Sequence, residues 1–144
     1  MTQFDIERFT EAQERVHGGY AQALSEITVG EKRGHWIWYI FPQLRGLGFS
    51  GNSQFFGIED LQEAQDYLAH PILGVRLCEI TAAALAHADD RLAIELMGSD
   101  IDAMKLQSSM TLFDKVCPDD IFADVLDTFF NGERCQRSLR MLEG

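Results

Sequence analysis

The sequence predicts an all-α protein: a compact single-domain bundle of about six to eight helices with one long Gly/Ser-rich loop. Three observations carry this. Apolar residues step by three or four along most of the chain, the period of a helix face. Helix stops and starts recur in order, with Gly30, Gly98 and Gly132 after helical stretches and Ser99 and Pro118 before them. Outside Trp36–Phe41, no segment reads as a strand. At 144 residues the chain fits one domain, since domains usually run to about 100–200 residues. A chain of this mass buries about two-thirds of its extended surface, enough for a core without disulfides or metal.

Taken in order, Ile6, Phe9, Val16, Tyr20, Leu24 and Ile27 mark an opening helical unit. Gly18-Gly19 breaks or kinks it, because each glycine costs about 1 kcal/mol inside a helix. Gly30 stops it. His35–Pro42 is continuously apolar and aromatic, and fits a buried strand or a short buried helix equally well. Gln43–Gly57 is rich in Gly, Ser and Asn and reads as the long loop. Asp60 and Glu63 form a variant capping box before the next helix. His70-Pro71 ends that helix, and Pro71 suits the first turn of the following one, through Leu85. Arg91–Met97 is a short helix, and Ser99 with Asp102 caps a long one through Val116. Pro118-Asp119-Asp120 opens another, matched to the helix dipole. Gln136–Leu142 is the last.

Charge narrows the partners. Twenty-three acids against 12 bases leave −11, which argues against a nucleic-acid backbone or an anionic membrane as the main partner. A small anionic ligand at a local cationic site remains compatible. Met1–Arg15 has no apolar run and no stretch is long enough to span a membrane, so a cytoplasmic location is expected. Cys78, Cys117 and Cys135 are widely spaced, and Cys78 is expected in the core. His17, His35, His70 and His87 have no ligand spacing, so neither metal nor cofactor is expected. Oligomeric state is not legible.

Two segments carry unusual chemistry. In the first, Lys32 and Arg33 precede His35, Trp36, Trp38 and Gln43, and Ser50 follows in the glycine loop. Trp36 or Trp38 can stack on a planar ligand, and glycines let backbone N–H groups approach an anion. His35 is the candidate catalytic acid or base. The competing reading puts both tryptophans in the core and His35 in a packing or capping role. In the second, Lys105, Ser108 and Ser109 lie three or four residues apart on one helix. They suit a carboxylate or phosphate, or simply allow close helix packing. Arg76 sits on an otherwise apolar helix and either binds an anion or pairs with a carboxylate across a helix interface. Asp119, Asp120, Asp124 and Asp127 read as a solvated face.

These residues also carry a resemblance. Tyr20-x-x-Ala23-Leu24-x-Glu26-Ile27, His35-Trp36-x-Trp38-x-Ile40-Phe41-Pro42-Gln43-Leu44-x-Gly46-Leu47-Gly48-x-Ser50, His70-Pro71-x-Leu73-Gly74-x-Arg76-Leu77 and Lys105-Leu106-x-Ser108-Ser109-Met110-Thr111-Leu112-Phe113 resemble the family known as domain of unknown function 1810. The resemblance spans nearly the whole chain. It implies a compact helical domain of bacterial type, and supplies no activity. The name calpastatin sometimes given to members does not suit this compact chain, since calpastatin inhibitory regions are extended. The family pattern has Asp where this chain has Cys135, and Thr where it has Ser138.

Two functions follow as expectations. One is a ligand-binding protein or enzyme acting on an anionic, nucleotide-like metabolite, seated between His35–Ser50 and the helix of Lys105. It requires His35, Arg76, Lys105 and Ser108 to converge; scattered on different faces, they defeat it. The alternative is a non-catalytic interaction or adaptor module.

Overall fold

The structure, a computed structural model, describes residues 5–143; Met1–Phe4, the start of the stretch expected to carry no leader, and Gly144 lie outside the described residues. Ten helices occupy the described residues. They are α1 (Glu7–Gln13), α2 (Tyr20–Val29), α3 (Ile37–Ile40), α4 (Gly51–Phe55), α5 (Leu61–Ala69), α6 (Leu73–Leu85), α7 (Ala93–Met97), α8 (Asp100–Val116), α9 (Ile121–Phe130) and α10 (Gln136–Glu143). The number exceeds six to eight because α3 and α4 have only four and five residues, too few to display a period, and Gly18-Gly19 splits the opening unit into α1 and α2.

The breaks fall where backbone chemistry demands them. Gly18 has φ +79°, and a Cβ on Gly19 would lie 2.1 Å from the Arg15 carbonyl oxygen, so the chain turns between α1 and α2. Gly30 and Gly98 close α2 and α7 in left-handed conformation. Ser99 accepts the Asp102 N–H at 3.1 Å and starts α8 as expected. Asp60 accepts the Glu63 N–H at 2.9 Å at the start of α5. The stop of α5 has a second use: His70 Nδ1 accepts the Ile72 and Leu73 N–H groups at 3.1 and 3.2 Å, capping α6. The α5 and α6 axes meet at 87°. There Gly74 approaches so closely that a Cβ would sit 2.0 Å from the Leu68 carbonyl oxygen.

One continuous buried cluster runs from Phe9 in α1 to Leu126 in α9. The longest helix, α8, packs against α5, α7, α9 and α10 and organises the core. His35–Pro42 resolves as α3, with Trp36, Ile37, Ile40 and Phe41 almost completely buried. The expected long loop is corrected: Ser50 accepts the Ser53 N–H at 3.1 Å and initiates α4 within it. Its two ends are tied by an isolated parallel bridge, Arg45 N–H to Ile58 carbonyl and Ile58 N–H to Gln43 carbonyl, each 2.8 Å. Buried Arg8 then fastens the loop to α1 and α5. Its guanidinium donates to the Phe55 and Gly57 carbonyls at 2.7 and 2.9 Å and to both Glu63 oxygens at 2.9 and 3.1 Å.

Cys78 is not core. It is exposed on the outer side of α6, because Leu77, Ile80 and Thr81 take the inward positions. Among the described residues no single helix is long and apolar enough to cross a membrane, and no cluster of His, Cys, Asp and Glu has metal-site geometry.

Candidate functional site

A groove of about 400 Å³ lies between the loop Gln43–Ser53 and the first half of α8. That volume is in the range of small-molecule sites. The loop supplies Gln43, Ser50 and Ser53, with Leu47 and Phe49 as apolar wall. Ile101, Met104, Lys105 and Ser108 project from α8, one or two helical turns apart. Cys135 and Arg137, at the entry to α10, complete the lining. Two other grooves exceed 500 Å³, but their chemistry differs. One, of about 540 Å³, is mainly apolar, with Cys78, Cys117 and Asp120 and no Lys or Arg. The other, of about 550 Å³, carries Asp5, Glu59, Asp60, Glu63 and Asp66. Of these three, the groove on α8 combines cations with an absence of carboxylates.

Lys105 reaches its place by stacking. Its Nζ lies 5.0 Å from the centre of the Trp38 ring and 3.7 Å from Asp102 Oδ1. Asp102 is already engaged on its other oxygen, 2.7 Å from Lys32 Nζ. Lys32 is buried and stacks on Trp36 at 4.8 Å. Two lysines thus share one aspartate, and the shorter contact goes to Lys32. One positive charge remains on the Lys105 side. In a protein of net charge −11, that local charge stands against the surrounding field.

Cys135 meets the groove where helix chemistry favours an anion. Burial pushes its thiol up, but the Ser108 and Ser138 hydroxyls and the backbone N–H groups of Ser138 and Arg137 outweigh this and bring it below the ordinary thiol value. Ser108 Oγ lies 3.3 Å from Cys135 Sγ and 3.0 Å from the Met104 carbonyl oxygen. The Cys135 N–H donates to Thr111 Oγ1 at 2.9 Å, which fixes the start of α10 on α8.

The expected site residues divide. Gln43, Ser50, Lys105 and Ser108 come together in the groove, and Trp38 supports Lys105. Trp38 Nε1 is buried without a hydrogen-bond partner among the described residues. Trp36 is fully buried, and its Nε1 donates to Glu26 at 2.9 Å, so it is core and offers no stacking face. His35 is exposed and does not line the groove. Arg76 lies elsewhere: it bonds Gln13 and Glu14 at 3.2 Å each and stands over Tyr20, the interface role named beside its anion role. Ser109 is fully buried with its hydroxyl unpartnered among the described residues. His35 and Arg76 therefore do not converge with Lys105 and Ser108, and the site built on those four residues is corrected. Sequence reasoning missed Phe49, Ile101, Met104, Cys135 and Arg137 as lining; only Cys135 left a trace, as a departure from a family pattern.

No curated protein matches the chain. Among solved structures, a conserved hypothetical protein from Mycobacterium tuberculosis is similar, at 40% identity over 99% of both chains with a TM-score of 0.90. Residues 3–142 match the family described as protein of unknown function DUF1810. With all but four of its residues inside that match, the chain belongs to the DUF1810 family.

Proposed function

We propose that this protein binds a small anionic metabolite in the groove between the Gln43–Ser53 loop and α8. The observation that carries the reading is the excess charge at Lys105: two lysines share Asp102, and among the described residues the groove lining has Lys105 and Arg137 but no carboxylate. Lys105 supplies the charge, and Gln43 and Ser108 supply polar contacts. Ser50 contributes less, because its hydroxyl is used in capping α4. No residue is assigned to catalysis: His35 lies outside the groove, and Ser108 is 3.3 Å from a thiol, not hydrogen-bonded to Lys105.

A thermal-shift screen with ADP, glucose 6-phosphate, citrate and octanoate tests this. At least one anion raises the melting temperature of the wild type and fails to do so in Lys105→Met. Shifts that are equal in the two proteins, or no shift with any anion, overturn the reading.

The adaptor reading draws on a different observation. Phe49, Ile101 and Leu92 expose 84%, 66% and 69% of their surface around this side of the molecule, and such residues mark contact surfaces. A stoichiometric partner retained by Lys105→Met, with no anion bound, favours that alternative.

A further inference from the structure

The groove's walls say more about its ligand than its charge does. Resting on the anion-binding reading, we infer that the ligand is a monoanion carried on an apolar body, such as a medium-chain or aryl carboxylate.

The charge supply is small. Asp102 neutralises one of the two lysines near it, leaving Lys105, with Arg137 across the groove. Arg137 itself is exposed and reaches the Gly46 carbonyl only at 3.5 Å. A polyphosphate or tricarboxylate needs several cations or a cradle of free N–H groups. It would also enter against a net charge of −11. A single carboxylate matches the one cation fixed in the wall, the Lys105 ammonium against Trp38, while Arg137 stands out in solvent.

Beside the polar Gln43, Ser50, Ser53 and Ser108, the wall carries four large apolar side chains, most of them well exposed. Leu47 and Phe49 face Ile101 and Met104 across the groove, and Phe49, Ile101 and Met104 are 84%, 66% and 64% exposed. A sugar or a phosphate gives such side chains nothing, whereas an alkyl or aryl body removes them from water. Met is well suited to bodies of varied shape. Charge at one position and apolar walls beside it define an amphipathic anion.

The test is a carboxylate series titrated calorimetrically into the whole protein: acetate, butanoate, hexanoate and octanoate, with octan-1-ol, octylamine, inorganic phosphate and ADP as comparators. Affinity is expected to rise by about three- to fourfold per methylene. Octanol should bind at least tenfold more weakly than octanoate, and octylamine should not bind. Lys105→Met should cost octanoate about tenfold and leave octanol unchanged. Phe49→Ser, at an exposed position that does not threaten folding, should flatten the series. A flat series in the wild type overturns the inference. So does tighter binding of phosphate or ADP than of octanoate, although the anion-binding reading then stands. Equal affinity for octanol and octanoate overturns it through the charge. If none of the anions binds, both readings fall.

Discussion

Lys105 holds its ammonium 5.0 Å from the centre of the Trp38 ring, on the wall of the groove. The contact places a formal charge beside an indole, while the second tryptophan, Trp36, is sealed in the core and bonded to Glu26. An anion that pairs with Lys105 therefore changes the field at one tryptophan and not at the other. Trp38 emission is expected to shift on titration with octanoate, and Trp38→Phe should abolish the response while the Trp36 emission stays constant. Lys105→Met should cost about 1–2 kcal/mol of stability, because its side chain is only 20% exposed and a cation–π contact is worth about 0.5–1 kcal/mol in the open and about 2 when desolvated. A urea melt checks that figure. A response from Trp36 alone would place the binding elsewhere.

Arg8 is the position where polar burial matters most. It serves two carbonyls of the loop segment and both oxygens of Glu63, with only 3% of its side chain exposed. Removing it takes two charged donors from the Glu63 carboxylate and one each from the Phe55 and Gly57 carbonyls. Arg8→Met is expected to destabilise by about 3–5 kcal/mol, the range for breaking a buried pair on one side. Because Phe55 and Gly57 end the α4 segment, the same variant should loosen the groove. Faster amide exchange at residues 51–58 than in α9 would show it. Unchanged exchange there would mean that the Leu44–Ile58 bridge holds the loop without Arg8.

Much of the fold was readable because its signals are local. Ser99, Gly30 and Gly98 act within a few residues, and each sits where the cap chemistry puts it. The long helices α6 and α8 span enough residues to show a period. The one-turn helices α3 and α4 do not, and α4 depends on the Ser50 hydroxyl and on a bridge between residues 14 apart. The groove was half legible. Lys105 and Ser108 are one turn apart on one helix, so their shared face followed from spacing. Cys135 and Arg137 reach the same place only through the packing of α10 on α8, which no spacing reports. Arg76 misled for a related reason: a guanidinium on an apolar helix looks the same in sequence whether it faces a ligand or Glu14.

Glu26 gives the fold an acid-sensitive joint. Burial raises its pKa, but the Gly34 and Arg33 backbone N–H groups, Trp36 Nε1 and Gln22 bond its carboxylate and bring it from 4.5 down to about 2. The folded value is depressed, so the stabilisation is fully present above the unfolded value. It is lost as pH falls from about 4.5 towards 2. Allowing for solvent screening at a partly exposed carboxylate, its size is on the order of 1–2 kcal/mol. Glu26→Gln should be less stable at pH 7 and show a shallower loss between pH 4.5 and 2 in urea melts. Parallel pH curves for the two proteins would assign the acid sensitivity to other carboxylates.

The three thiols should separate by reactivity in an order that exposure alone reverses. Cys78 is exposed, yet burial of its sulphur and the charge of Asp120 push its pKa up. Burial and the Asp120 carboxylate, 3.5 Å away, do the same to Cys117. Cys135 is less open, but the Ser108 hydroxyl 3.3 Å away and the polar groups of the first turn of α10 lower its pKa despite burial. The thiolate is the reacting form, so limiting iodoacetamide at pH 7 should label Cys135 first, as read by peptide mass mapping. Ser108→Ala removes one of the donors, so it should slow labelling at Cys135 and leave the other two unchanged. Raising the pH should narrow the gap between the three rates, since the two raised thiols then begin to ionise as well. Faster labelling of Cys78 at pH 7 would show that access, not the hydrogen bonds to sulphur, controls these cysteines.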